Sequence, residues 1–194
     1  MSGFIDIITT LGYVGIIAVI FAESGLLFGF IFPGDSLLFA VGLLASQGHF
    51  NIWILAVGCF LAAVAGDSFG YWFGRRLGPR IFTKEDSFFF HKRHIEKTAK
   101  FYERYGKKTV LLARVMPIVR TFAPIFAGVG KMPYKVFFFY NVMGGFIWTF
   151  GFLFLAYFLG STVPAVSEYL KWIILGIVLT SFIPVLIEYR QDRK

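Results

Sequence analysis

The sequence predicts an all-α integral membrane protein: two oppositely entering re-entrant helical hairpins plus about three full transmembrane helices, arranged as an inverted repeat. Three observations predict it. Of 194 residues, 57% are hydrophobic and 15% charged, where a soluble domain carries about a quarter charged. Several near-continuous apolar stretches approach or exceed the ~20 residues that cross a bilayer. Two further apolar stretches are interrupted by proline and carry charge, which lipid tolerates only where protein encloses the backbone or a wet cavity faces it.

Residues 4–32 are apolar apart from Asp6 and Glu23. With no basic n-region and no small-residue cleavage site, the stretch does not read as a cleavable signal peptide. It meets Phe32-Pro33-Gly34-Asp35-Ser36 and resumes as Leu37–Ala45. Proline removes a backbone donor, and Gly-Asp-Ser favours a turn followed by a helix N-cap. The expectation is two half-helices meeting at Pro33-Gly34, a re-entrant hairpin over about residues 11–46. Ser46–Asn51 is then a polar turn.

A full span follows at residues 53–73, ending in Gly66, Gly70, Gly74 and Gly78. Glycine at every fourth position makes a smooth stripe for close helix packing. Asp67 lies beside that stripe as an accessory candidate, and Arg75-Arg76 closes the span. Residues 79–108 form the one substantial polar segment. His91 to Tyr105 reads as a basic amphipathic helix on the membrane surface, with Ile95, Tyr102 and Tyr105 on one face. Glu96/Lys100 and Glu103/Lys107 pair on the other.

Leu111–Gly128 is apolar yet holds Arg114, Pro117, Arg120 and Pro124. An arginine at the centre of a membrane helix costs roughly 2.5–3.5 kcal/mol. Charge decides whether this stretch crosses. Residues 1–74 contain no Lys or Arg, while eleven of the nineteen basic residues fall between Arg75 and Lys108, so that segment is cytoplasmic. If 109–130 crossed, Lys131, Lys135 and the basic tail Arg190–Lys194 would lie outside. If it enters and returns, they fall inside, and the Lys/Arg-free loop 160–168 falls outside. The segment 109–130 therefore reads as a second hairpin, turning near Pro117, followed by spans at 136–159 and about 170–187. By the same logic residues 46–51 lie outside, and the first hairpin enters from the outer face. One polytopic domain results: a first repeat over 1–78, the basic segment 79–108, a second repeat over 109–160, and a last span.

Four residues stand out as chemistry: Glu23 and Asp35 in the first hairpin, Arg114 and Arg120 in the second. Each has a plainer reading. Asp35 fits an N-cap, Glu23 a structural partner for an arginine, and Arg114 a snorkelling side chain at the membrane edge; Arg120, between two prolines, resists one. Together they read as one site. Arginine's planar fork binds phosphate oxygens bidentately and stays charged when buried. A carboxylate there is drawn toward its neutral form by loss of water and toward its charged form by a nearby arginine. Such an acid can load and release protons. The combination suits an anionic headgroup moved with, or against, protons, at a midplane site between interrupted helices.

Other signals lead elsewhere. The net charge of +8 sits beside a span and reads as a topology signal and an anionic-lipid surface, not as a nucleic-acid footprint. Cys59 is a packing residue. His91 and His94 lack a third ligand, and no nucleophile set or nucleotide loop has the required context. No metal, cofactor or enzymatic activity is expected, and oligomeric assembly is left open. Trp53, Trp148 and Trp172 read as interfacial anchors or packing.

At these residues the sequence resembles the DedA family of membrane proteins, bacterial relatives of the VTT-domain lipid scramblases. The matching pieces are Glu23-Ser-Gly-Leu-Leu with Phe32-Pro-Gly-Asp35-Ser-Leu-Leu, then Gly66-Asp-Ser-Phe-Gly-Tyr71, then Ala113-Arg114-Val-Met-Pro117-Ile-Val-Arg120 with Ala127-Gly128, then Asn141 to Trp148. Val115 and Phe32 depart mildly from the family's pattern. The resemblance implies a flippase that returns undecaprenyl phosphate, or a similar anionic lipid, across the inner membrane in a proton-dependent way, supporting envelope homeostasis. It implies proton-coupling roles for Glu23 and Asp35 and phosphate-binding roles for Arg114 and Arg120. The alternatives are a proton-coupled antiporter of small cations or drugs and a non-transporting membrane scaffold.

Overall fold

The computed structural model describes residues 3–25, 34–81, 102–115 and 117–163, with single helical positions at 169, 172 and 176. Side chains are described from residue 12 onward, leaving out 77–81, 107, 115, 117 and 118. Six α-helices are complete in this set: α1 Gly3–Gly25, α2 Gly34–Ser46, α3 Ile52–Ile81, α4 Thr109–Leu112, α5 Pro117–Val129 and α6 Tyr134–Thr162. The 3-10 turns Gly106–Lys108 and Ala113–Val115 flank α4. No strand occurs among the described residues.

Two helices are long and apolar enough to cross a bilayer, over Ile52–Arg76 in α3 and throughout α6. Both outrun the expected spans. α3 begins one residue before 53 and continues past Arg75-Arg76, through Gly78 and Pro79, to Ile81. α6 begins before 136 and runs through Gly160 to Thr162, so the loop expected from 160 starts only at Val163. Its last turn holds because Ser161 and Thr162 donate their hydroxyls back to the Phe158 carbonyl, at 3.0 and 2.7 Å.

The other helices are short. α2 and α5 have 13 residues each, about 20 Å at 1.5 Å per residue, against a hydrocarbon core of about 30 Å. α1 is kinked at Gly12, whose φ of 58° belongs to the left-handed region that favours glycine. The break expected at Pro33-Gly34 falls partly outside the described residues: Pro33 is not among them, and Gly34 opens α2. The break expected at Pro117 is present. Pro117 is the first residue of α5, a place where a missing N–H costs nothing. Pro124 lies inside α5 and removes the donor that the Arg120 carbonyl would use in an unbroken helix.

Packing is interlocked. α3 runs along both α1 and α5, while α2 packs on α6, so each short helix leans on the long helix of the other half of the chain. Glycines set the approach. A Cβ on Gly66 would stand 2.7 Å from the Phe21 carbonyl of α1. A Cβ on Gly74 would collide with the backbone of Ile125 in α5, and one on Gly42 would stand 2.7 Å from the Leu153 carbonyl of α6. Lipid supplies no hydrophobic drive between helices, so this close van der Waals fit is what holds them. The expected stripe on α3 is thus a two-sided contact: Gly66 faces α1, and Gly70 and Gly74 face α5.

Polar groups fasten the ends. Asn51 caps α3, its Oδ1 accepting from the backbone of Trp53 at 2.9 Å and of Ile54 at 3.3 Å. Tyr71, fully buried, donates its hydroxyl to the Met132 carbonyl at 2.5 Å and accepts from Arg75 Nη1 at 2.7 Å. That clasp ties the α5–α6 turn to α3. Residues 102–105 are helical, and Tyr102 donates to the Ala123 carbonyl of α5 at 2.8 Å. Burial, then the charge of Asp67, hold its phenol above the usual tyrosine range, so it stays a donor. The rest of the expected amphipathic helix, with His91, His94 and Glu96/Lys100, and nearly all of the last span lie outside the described residues.

Candidate functional site

The site is assembled from six elements and centres on one indole. Arg120, one turn into α5, donates through Nη1 to Asp35 Oδ1 at 2.8 Å and through Nη2 to Glu23 Oε1. Glu23 comes from the last turn of α1 and Asp35 from the first turn of α2. Arg114, in the 3-10 turn after α4, donates through Nη2 to Asp67 Oδ2 at 2.5 Å and to Asn141 Oδ1 at 3.0 Å. Trp148, midway along α6, lies between the two arginines. Its ring centroid is 4.7 Å from Arg120 Cζ and 5.6 Å from Arg114 Cζ, within cation–π range. Its indole N–H donates to Asp35 Oδ1 at 2.6 Å.

Local sequence explains each placement. The Pro117 break ends one short helix and starts another, so Arg114 and Arg120 leave the backbone from different helical segments. Gly34 is required beside Glu23, because a Cβ there would occupy the place of the Glu23 carboxyl group. Gly144 does the same for Arg114: a Cβ would stand 2.8 Å from its Nε. Asn141 is oriented by donating Nδ2 to the Val64 carbonyl at 3.0 Å, which leaves its Oδ1 for Arg114.

The two arginines are satisfied unequally. Arg120 holds two carboxylates and an indole face. Arg114 is 8% exposed, and its Nε and Nη1 have no hydrogen-bond partner. Buried donors left unpaired cost about 1–3 kcal/mol each, more when charged. Asp35 is the accessible member, its side chain 40% exposed. It lines a cleft of about 590 Å³ together with Arg114, Trp148 and a face of α6.

Glu23, Asp35, Arg114 and Arg120 are therefore brought together, as the sequence suggested, but not as two simple pairs. Both hairpin acids serve Arg120, and Asp67, the accessory candidate, is the partner of Arg114. The snorkelling reading of Arg114 does not describe this buried side chain. The Asp35 carboxylate bonds to Arg120 and Trp148. Of the tryptophans read as anchors or packing, Trp148 is packed, 5% exposed and in contact with the charged cluster, whereas Trp53 and Trp172 are exposed. Sequence carried a signal for it, since an interfacial anchor belongs near a helix end and Trp148 sits mid-span. Asn141 was missed as well, although a lone amide inside an apolar span invites a hydrogen-bonding role.

Comparisons with known proteins place the chain among membrane-protein relatives. The VTT domain matches residues 32–158, a region containing Asp35, Asp67, Arg114, Arg120 and Trp148. The chain is 42% identical over 184 residues to Protein DedA of Escherichia coli (strain K12), covering 94% of this chain and 84% of that protein. It is 46% identical over 185 residues to "Uncharacterized membrane protein Rv0364" of Mycobacterium tuberculosis (strain ATCC 25618 / H37Rv), covering 92% and 81%. No solved structure matches.

Proposed function

The chain belongs to the VTT-domain (DedA) family of membrane proteins, and from that premise we propose that it is a flippase for undecaprenyl phosphate or a similar anionic lipid. It moves this lipid between the leaflets of the inner membrane, coupled to protons, in support of envelope homeostasis. It acts as a multi-pass transporter and not as an enzyme. The observation that carries this reading is the buried Arg114 guanidinium with two unpaired nitrogens, set beside a cleft that reaches Asp35. A phosphate supplies the acceptors those nitrogens lack.

Supporting the re-entrant reading, α2 and α5 are each about 20 Å long and each is followed closely by a long apolar helix. They then dip from opposite faces as the basic residues require, in an inverted repeat. Charge supports proton coupling. Glu23, Asp35 and Asp67 face Arg114 and Arg120, so with every group ionised the cluster carries one net negative charge. An incoming phosphate adds to it. Binding is therefore linked to protonation of a carboxylate, and by reciprocity lower pH strengthens binding of the anion.

The test is reconstitution of the protein into vesicles carrying labelled undecaprenyl phosphate, with transbilayer movement followed over time. Wild type moves the lipid faster as pH on the loading side falls, and Arg114→Ala does not move it. Equal rates for the two proteins would refute the reading. The excess carboxylate favours one rival, a proton-coupled antiporter of small cations or drugs. That function needs the acids but not both arginines, so cation exchange retained in Arg114→Gln would support it.

A further inference from the structure

We infer that the face of α6 beginning at Gly144 is a lateral groove that holds the hydrocarbon chain of the lipid while its phosphate reaches Arg114. This rests on the flippase reading above and specifies how its substrate is recognised. The cleft follows a helical stripe of α6, from Gly144 through Ile147, Trp148 and Gly151 to Leu155, about 17 Å at 1.5 Å per residue. Apart from Asp35, Arg114 and the indole, its lining is apolar. Its volume of about 590 Å³ is that of a ligand site, in the ~300–1,000 Å³ range.

The stripe does two things at once. Ile147 and Leu155 are 60% and 55% exposed on a helix long and apolar enough to span, so the groove opens sideways toward lipid. Gly144 lies against Arg114, at the charged end. Gly151 is the notch between: a Cβ there would have nothing within 4 Å, so the missing side chain is not making way for another helix. The space it leaves is part of the groove.

The occupant follows from this polarity. A water-soluble phosphate would bring nothing to the apolar length of the stripe, and an uncharged lipid would leave the Arg114 nitrogens unpaired. An amphiphile with a phosphate at one end and one slender chain satisfies both. The Arg114 Nε and Nη1 are themselves buried, so the headgroup is received as the side chain turns toward the cleft beside Gly144. Pairing them offsets the cost of two buried donors without partners.

A Cβ at position 151 meets no atom within 4 Å, so Gly151→Leu is expected to fold. Vesicles of phosphatidylcholine and phosphatidylglycerol carrying a long-chain polyprenyl phosphate serve as the assay, with a short, water-soluble isoprenyl phosphate as a binding probe. Gly151→Leu is expected to slow long-chain transport about tenfold or more, yet to bind the short probe as wild type does. Wild-type transport with an unchanged rate in Gly151→Leu overturns the groove and leaves the flippase reading standing. A wild type that neither moves the lipid nor binds the probe overturns both. Independently of folding of the variant, a photoreactive group at the far end of the chain is expected to label the α6 segment holding Gly151 and Leu155 in wild type. Labelling confined to other segments overturns the groove.

Discussion

Arg114 and Arg120 share one indole and one stretch of chain, yet they occupy opposite kinds of environment. Arg120 is closed: two carboxylates from two helices hold it, and a third contact stacks it on Trp148. Arg114 is open: one carboxylate and one amide use a single nitrogen, and two others wait. The difference teaches a division of labour within what the sequence presented as a matched pair. A guanidinium held by two carboxylates and stacked on an indole is a structural hub that joins α1, α2 and α5. One with two buried donors unpaired is the group that the proposed phosphate would meet.

Removing each arginine is the harshest way to break that comparison. Arg120→Ala strands Glu23 and Asp35 together, and loss of one partner from a buried pair costs about 3–5 kcal/mol. Arg114→Ala strands Asp67 alone and also ends the cost of two unpaired donors, so its loss is expected near 3 kcal/mol or below. Thermal unfolding of both variants in detergent measures the order, and an Arg114 variant less stable than the Arg120 variant would break the division. Arg120→Gln with Glu23→Gln is expected to recover part of the stability without recovering transport.

A milder change separates the two nests. Trp148→Phe keeps a ring under both guanidiniums but deletes the donor to Asp35, costing about 1.5–3 kcal/mol as a hydrogen bond to a charged group. Asn141→Leu takes the amide from Arg114 and leaves the Arg120 nest whole. Combining the two changes checks independence. Free energies that add within about 0.5 kcal/mol fit separate nests, and a larger deviation means that they act as one unit.

The smallest effects lie at the ends of α2 and α5, which carry Asp35 and Arg120. Both finish in the same way. His49 N–H bonds to the Leu44 carbonyl and Gly48 N–H to Ala45, while Met132 N–H bonds to Ala127 and Lys131 N–H to Gly128. Each is a Schellman motif, with φ of 83° at Gly48 and 52° at Lys131. Gly48→Ala is expected to cost about 1 kcal/mol, and Lys131→Gly to gain about 0.5 kcal/mol as relief of left-handed strain outweighs added chain entropy. Unfolding measurements on both variants check the opposite signs.

Much of the fold was legible because membranes impose strict rules. Long apolar runs gave α3 and α6 to within a few residues at their starts, and Pro117 marked a real break. Their C-terminal ends lie further on than expected: α3 continues past the Arg75-Arg76 pair expected to close its span, and the hydroxyls of Ser161 and Thr162 hold the last turn of α6. The candidate site was legible as a set, because charges inside apolar stretches are costly and need partners. Asp67 and Trp148 were underrated, because one sat beside a packing stripe and the other belonged to a residue type that usually marks an interface.

By itself the sequence determined which residues are costly to bury, since the expense of a guanidinium or carboxylate in hydrocarbon depends on residue type and setting alone. It also marked the break at Pro117, where a missing N–H costs nothing at the start of a helix, although Pro124 stays inside α5. Only the tertiary structure decided who pairs with whom. Arg120 reaches acids 97 and 85 positions away, and Arg114 one 47 positions away. Those choices follow from helices that close on glycines and lean on the opposite half of the chain. Only that packing also left two nitrogens of Arg114 without a partner.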